Sequence, residues 1–353
     1  MSTEDQEPMG DANHTTDGGH SGRRPHRRSF VDTLRDRWED LWFGAIGPGK
    51  TSVKVLLAVA AVIGVLYYPT GMMLAHQIND DLAFESPIDS RPPGASRAVA
   101  MAAALIRREV DETTWVANKP FVFPSSALDN MPNFQTGLIY ALSRFAIEMT
   151  DVLGRTRGTS QVDADLDKAS GLLKYDGTTW VWEPSISLLP TASAERQYLA
   201  GRRALDRYNQ RLAGGDAIYD RRADNMIAFL DRVAADLGGA SANLDDRAMT
   251  SDSGWFDTDA DDVFYATKGR LYGYYMLLRE LGIDFADVLD EKNAALAWGQ
   301  MLDNLRTAAG MDPLIISNGA NDGFLMPSHL AAQGFYLLRA RTQLKEVANI
   351  LFK

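Results

Sequence analysis

The chain has 353 residues, 45 % of them apolar and 24 % charged, with 36 Lys and Arg against 47 Asp and Glu for a formal net charge of −11. That length and apolar share suffice to bury a sizeable core. Cysteine is absent, which excludes disulfides, thiolate nucleophiles and cysteine-ligated metals. The acidic balance argues against nucleic acid or an anionic lipid surface as the main partner.

Residues 1–28 are polar and nearly free of apolar side chains, so they cannot offset their ordering entropy and are expected to form a disordered cytoplasmic tail. The tail is polarised, with Glu4, Asp5, Glu7, Asp11 and Asp17 ahead of Arg23, Arg24, Arg27 and Arg28. The arginines either set topology alone or also lie on anionic headgroups. Residues 29–54 form an amphipathic juxtamembrane segment. Between Ser29 and Phe43, the residues Phe30, Leu34, Trp38, Leu41 and Trp42 share one helical face. Two tryptophans on that face suit a helix lying flat on the cytoplasmic leaflet, and a docking face for a cytosolic partner is the other reading.

Gly44-Ala-Ile-Gly-Pro-Gly-Lys-Thr51 fits the spacing of a phosphate-binding loop. Such a loop needs a buried strand before it and a sheet-packed helix after it. Here an amphipathic segment precedes and a wholly apolar run follows, so the residues are read as a hinge whose Lys50 and Lys54 border the bilayer.

From Val55 to Leu74 no side chain is charged, and twenty residues at helical rise span about 30 Å, the hydrocarbon thickness of a bilayer. Residues 55–74 are therefore predicted to form a transmembrane helix, with the Tyr67 and Tyr68 rings at the interface and Pro69 in its last turns. Arg35, Arg37, Lys50 and Lys54 precede the span, whereas Asp80, Asp81, Glu85 and Asp89 follow it. The positive-inside bias puts the N-terminus in the cytoplasm and the bulk of the chain across the inner membrane. Residues 1–54 carry eight basic and nine acidic side chains, which leaves 28 basic and 38 acidic beyond them. A leader of this length and the poor cleavage site at Met73-Leu-Ala75 favour an uncleaved anchor over a signal peptide. Ala60 and Gly64, four apart, permit close helix pairing and a homo-oligomer.

Residues 75–95, with Pro87, Pro92 and Pro93, are expected to be a stalk. Residues 96–353 show apolar periodicity of helical type throughout, over 96–111, 133–153, 164–173, 193–212, 217–237, 259–281, 285–309 and 328–351. An Asp-Gly turn flanked by β-formers predicts a small hairpin over 174–182, and 312–327 is expected to be a loop or a second short hairpin. The fold class is thus all-α: one N-terminal transmembrane helix, then a helical-bundle exported domain with one or two small β-hairpins.

Asp257, Asp259 and Asp261 alternate as at the start of a calcium loop, but Asp262 stands where such a loop needs glycine and Lys268 where it needs a bidentate glutamate. A helix start, with Thr258 or Asp257 as cap and the acids answering the helix dipole, is the plainer reading. Beyond the span, only His76 and His329 are histidines, too few for zinc without cysteine, and no catalytic motif surrounds them. Trp180, Trp182, Glu183, Trp255 and Asp257 combine aromatic faces with carboxylates, the chemistry a glycan-directed site would use. No pattern implies a cofactor.

The stretch from the span through Trp255-Phe-Asp-Thr-Asp-Ala-Asp-Asp-Val-Phe-Tyr265 and Tyr272-Gly-Tyr-Tyr-Met-Leu-Leu-Arg279 resembles a bacterial family, domain of unknown function 2333, over roughly residues 50–353. The resemblance implies one N-terminal span and a helical exported domain in the Gram-negative envelope, and it brings no catalytic residues. The resulting expectation is a non-catalytic, membrane-anchored periplasmic domain that binds an envelope protein partner. A periplasmic glycan-directed enzyme or binder is the alternative.

Overall fold

A computed structural model of the chain describes residues 48–154, 162–182, 188–250, 258–313, 316–317 and 328–353. Helix α1 runs Pro48–Ala75. Proline suits its first turn, where a missing N–H costs nothing. From Val53 to Ala75 the helix is apolar enough to cross a membrane, and none of its most apolar stretch is buried by protein. A core helix of that composition would be buried by other elements; this stretch is not.

The chain divides within α1, at Ile63 and Gly64, and residues 64–353 form a packed unit containing all the other described elements. These are α2 (Arg97–Arg107), α3 (Asn130–Glu148), α4 (Ala164–Leu173), α5 (Ala194–Ala213), α6 (Ala223–Thr250), α7 (Thr258–Asp284), α8 (Ala286–Glu291), α9 (Ala295–Ala309) and α10 (His329–Phe352). The protein is all-helical among the described residues.

Helix α7 is the centre of the domain and lies against α2, α3, α6, α9 and α10. Leu271, Tyr272, Tyr274, Met276, Leu277, Leu278 and Leu281 are all fully buried, so it has no solvent stripe along this length, as expected of a helix surrounded by others. Its pairing with α3 is unusually close because glycines face each other's backbones. A methyl group at Gly269 would overlap the Phe134 carbonyl, and one at Gly137 would overlap the Ala266 carbonyl. At the far end of α7, Asp284 caps α2 from across the domain. Its carboxylate accepts from Ser96 Oγ (2.6 Å), Arg97 N (2.8 Å) and Ala98 N (3.1 Å), three donors at a helix N-terminus. Burial pushes the Asp284 carboxyl up, against the pull of those donors.

Three sequence expectations differ from the structure. No strand forms over 174–182, so the first expected β-hairpin is replaced by turns. The Asp176 carboxylate closes the turn on its own backbone, accepting from Thr178 N (2.9 Å) and Thr178 Oγ1 (2.8 Å). The carbonyls that a ladder would use go elsewhere: Tyr175 O to Tyr198, Gly177 O to Trp115 Nε1 and Thr179 O to Asn118 Nδ2. The second candidate hairpin, 312–327, lies mostly outside the described residues. The helix expected to stop at residue 237 continues through Gly238 and Gly239 to Thr250, because Leu237, Ala240 and Leu244 keep its buried face continuous and outweigh the cost of two glycines. The helix expected over 285–309 breaks into α8 and α9 at Asn293, which takes φ 52°, a left-handed conformation that asparagine tolerates.

Candidate functional site

The polar residues of α7 at 261, 265, 268, 272 and 279 are spaced by three, four and seven, which places them on one face. That face receives residues 76–84, the segment leaving α1. Lys268, fully buried, sits with its ammonium 2.6 Å from Asp80 Oδ2 and 3.2 Å from Asp312 Oδ1, with the Tyr265 ring 5.9 Å away. One turn on, Tyr272 donates to the Asp81 carbonyl (2.9 Å). At the far end Arg279 donates from Nη1 to Leu82 O (2.8 Å) and from Nη2 to Phe84 O (2.7 Å). A stretch rich in Asp and Asn has thus been tied to the core helix through both side chains and main-chain carbonyls.

Beneath this strap lies a second buried network. Helix α2 widens into a π-helical turn at Arg108–Glu112, a geometry frequent at functional positions, and both Arg108 and Glu109 face inward. The Arg108 guanidinium lies between the Phe84 and Tyr272 rings, 5.0 and 5.1 Å from their centroids, and donates to Tyr272 Oη (2.7 Å) and Glu109 Oε1 (2.9 Å). Gln135 on α3 donates to Glu109 Oε2 (3.2 Å) and accepts from Val116 N (3.1 Å). Burial pushes the Glu109 carboxyl up even against the attraction of Arg108.

At the start of α7 is an acidic pole. Asp129, Asp261 and Asp262 can bring one oxygen each within 4.8 Å of one another, and Asn133 Nδ2 holds Asp262 Oδ1 at 2.6 Å. Burial first, then the charges of Asp129 and Asp262, push the Asp261 carboxyl up to about 6. Hard divalent cations favour such oxygen clusters. The first turns of α3 and α7 both end here, however, and their dipoles also favour carboxylates.

The last turns of α1 carry a third arrangement. Tyr67 Oη donates to Val122 O (3.1 Å), Tyr68 Oη donates to Phe121 O, and a methyl at Gly71 would overlap the Pro124 ring. Phe123 meets Trp180 edge to face at 6.5 Å.

Of the residues singled out from sequence, Trp38, Trp42, Trp255 and Asp257 lie outside the described residues. Lys50 falls in the first turn of α1, and Lys54 is half-buried on it. Tyr67 and Tyr68 hold the 121–122 loop. Trp180 is half-buried under that loop and Trp182 is exposed. Asp259 is exposed and pairs with Arg247 at 3.3 Å, while Asp261 joins the acidic pole. A cavity of about 440 Å³ lined by Ile139, Tyr140, Arg144, Tyr175, Asp176 and Tyr198 lies nearby, but neither Trp180 nor Trp182 lines it. His329 accepts from Ser317 N through Nδ1 (3.0 Å) at the start of α10, and burial lowers its pKa. Sequence pattern does not single out Arg108, Glu109 or Asp129, and marks Asp80 only as part of the acidic flank. For Arg108 and Glu109 the one available signal is charge set beside apolar helical positions, as with Lys268 between Phe264 and Leu271.

An apolar helix whose exit segment is bonded along the core helix of an all-α domain defines a class: helical proteins with, among the described residues, one apolar helix near the N-terminus. The chain belongs to a family of uncharacterised proteins conserved in bacteria, DUF2333, whose sequence model matches residues 50–252 and 245–353. No curated protein and no solved structure matches it.

Proposed function

We propose that this protein is a component of the bacterial envelope, held in the inner membrane by α1 with its N-terminus in the cytoplasm. Its helical domain then stands in the periplasm as the binding platform for an envelope protein. The carrying observation is the junction between helix and domain. An apolar helix whose most apolar stretch no protein buries needs an apolar solvent, and residues 79–84, soon after it, are fastened to α7 by Lys268, Tyr272 and Arg279. Residues 79–84 are thereby part of the packed domain and not a loose tether, which suits a platform better than a tethered soluble enzyme. The Lys and Arg flank before the helix supports the orientation.

The test is threefold. Full-length protein should resist extraction by alkaline carbonate, and an alkaline phosphatase fused after Lys353 should be active, a reporter that works only when exported. Crosslinking in intact cells should then recover one recurrent envelope protein. A phosphatase fusion that stays inactive while a cytoplasmic reporter works would overturn the orientation. Crosslinks to the protein itself alone would overturn the platform.

A further inference from the structure

Large apolar side chains stand exposed on two neighbouring loops beside the end of α1. Phe121 is 80 % exposed, with Val122 and Phe123 following it, and Leu188 is 86 % exposed, with Leu189 and Trp182 close in the chain. The two loops make one patch. Phe123 meets Trp180 edge to face, and Thr191 N bonds Val181 O at 2.8 Å, next in the chain to Trp182 and two residues from Leu189.

The height of this patch along α1 is fixed. The Tyr67 and Tyr68 hydroxyls hold the carbonyls of Val122 and Phe121, and Pro124 packs where Gly71 leaves room. At helical rise Tyr67 lies about 12 Å back from Ala75, so the loop is clasped alongside the apolar helix and not beyond its end. Whatever medium surrounds residues 67–71 also surrounds Phe121.

The loop's carbonyls are satisfied within the protein. Non-helical backbone facing lipid must satisfy its own polar groups. Here the carbonyls of Phe121 and Val122 are taken by the tyrosines, and that of Phe123 accepts from Ser126 N (3.0 Å) and Ser126 Oγ (2.7 Å). From Pro120 to Leu128 no side chain is charged. Such a contact is apolar, so the acidity of the chain does not oppose it.

We infer that Phe121, Val122 and Phe123, with Trp182, Leu188 and Leu189, form a second membrane contact, a foot buried at the headgroup–acyl boundary of the periplasmic leaflet beside the span. The inference rests on α1 being that span. Aromatic rings with polar edges and aliphatic tips are the side chains that settle at this boundary.

The chain has no cysteine, so single cysteines can be labelled without background. Full-length F121C, L188C, V62C and K353C, each carrying a nitroxide, are reconstituted in phosphatidylethanolamine–phosphatidylglycerol vesicles, and collision with oxygen is compared with collision with a water-soluble nickel chelate. Oxygen should dominate at 62, 121 and 188, and nickel at 353. Nickel dominating at 121 and 188 while oxygen dominates at 62 overturns the foot and leaves the span intact. Low collision with both reagents at 121 also overturns it, since protein and not lipid would then cover the loop. Nickel dominating at 62 overturns the span, and the foot with it.

Discussion

Lys268 Nζ lies 2.6 Å from Asp80 Oδ2, joining the middle of the core helix to the fifth residue after the apolar one. A buried ammonium stripped of its partner costs roughly 3–5 kcal/mol, whereas an apolar side chain of similar volume replaces a buried pair almost without loss. Asp312 remains near Lys268 but is largely exposed, so it compensates only in part. Asp80→Ala should therefore destabilise by about 2–3 kcal/mol. Lys268→Met should change global stability by less than about 1 kcal/mol yet loosen the strap. Denaturant unfolding in detergent measures the first, and amide exchange at residues 79–84 the second. Equal losses for the two variants would show that the pair is not what holds the segment.

The Arg108–Glu109 pair obeys the same physics more strictly, because both side chains are nearly inaccessible. Arg108→Met leaves the buried Glu109 carboxylate with the Gln135 amide but no countercharge, at a cost of about 3–5 kcal/mol. Adding Glu109→Gln keeps the Gln135 contact without the charge and should recover most of that loss. Failure of the double variant to recover would mean that the guanidinium acts through its packing between Phe84 and Tyr272.

Asp261 sets a pH dependence. Its carboxyl is raised from 3.8 to about 6 by burial and by Asp129 and Asp262. Between those values the folded state keeps a proton that the unfolded chain has released, so stability falls as pH rises through this window. Lowering pH from about 7 to about 5 should raise Tm by this contribution, and Asp261→Asn should raise Tm at neutral pH and flatten the slope. The site is partly exposed, so the gain should be modest, about 1–3 °C. Scanning calorimetry of both proteins across the window decides it, with an unchanged slope in the variant as the opposing outcome.

Helices were legible in the sequence wherever one face alternated cleanly, as in 164–173, where expectation and structure coincide. Legibility failed where tertiary contacts overrode local preference. The Asp-Gly pair at 176–177 is as good a hairpin signal as the chain offers, but Trp115 and Tyr198 take the carbonyls a partner strand would need. Gly238 and Gly239 look like a stop, yet the buried positions on either side continue. The polar face of α7 was half visible. The Asp257–Asp262 run stands out locally, but Asp129 meets Asp261 and Asp262, and Asp80 meets Lys268, only through contacts more than a hundred residues apart in sequence. Lys268 stands in the sequence only where a calcium loop would need glutamate, because no local pattern says that a lysine will be buried.

The Gly269 close approach gives the sharpest structural prediction. Its missing side chain lets the α7 backbone meet Phe134 on α3, and the reciprocal Gly137 meets Ala266, so the two helix backbones approach closely at two points. Backbone atoms cannot swing aside as a side chain can. Gly269→Ala must therefore push the helices apart, at roughly 1–3 kcal/mol for overpacking, even though alanine favours the helical backbone by up to about 1 kcal/mol. The net effect should be a loss. Gly299→Ala, at an α9 position with open space around it, should gain instead. Because α7 also carries Lys268 and Tyr272, separation at Gly269 should weaken the strap as well, seen as faster amide exchange at residues 79–84 in Gly269→Ala but not in Gly299→Ala. A Gly269→Ala protein at least as stable as the parent would mean that α3 and α7 do not meet through these glycines.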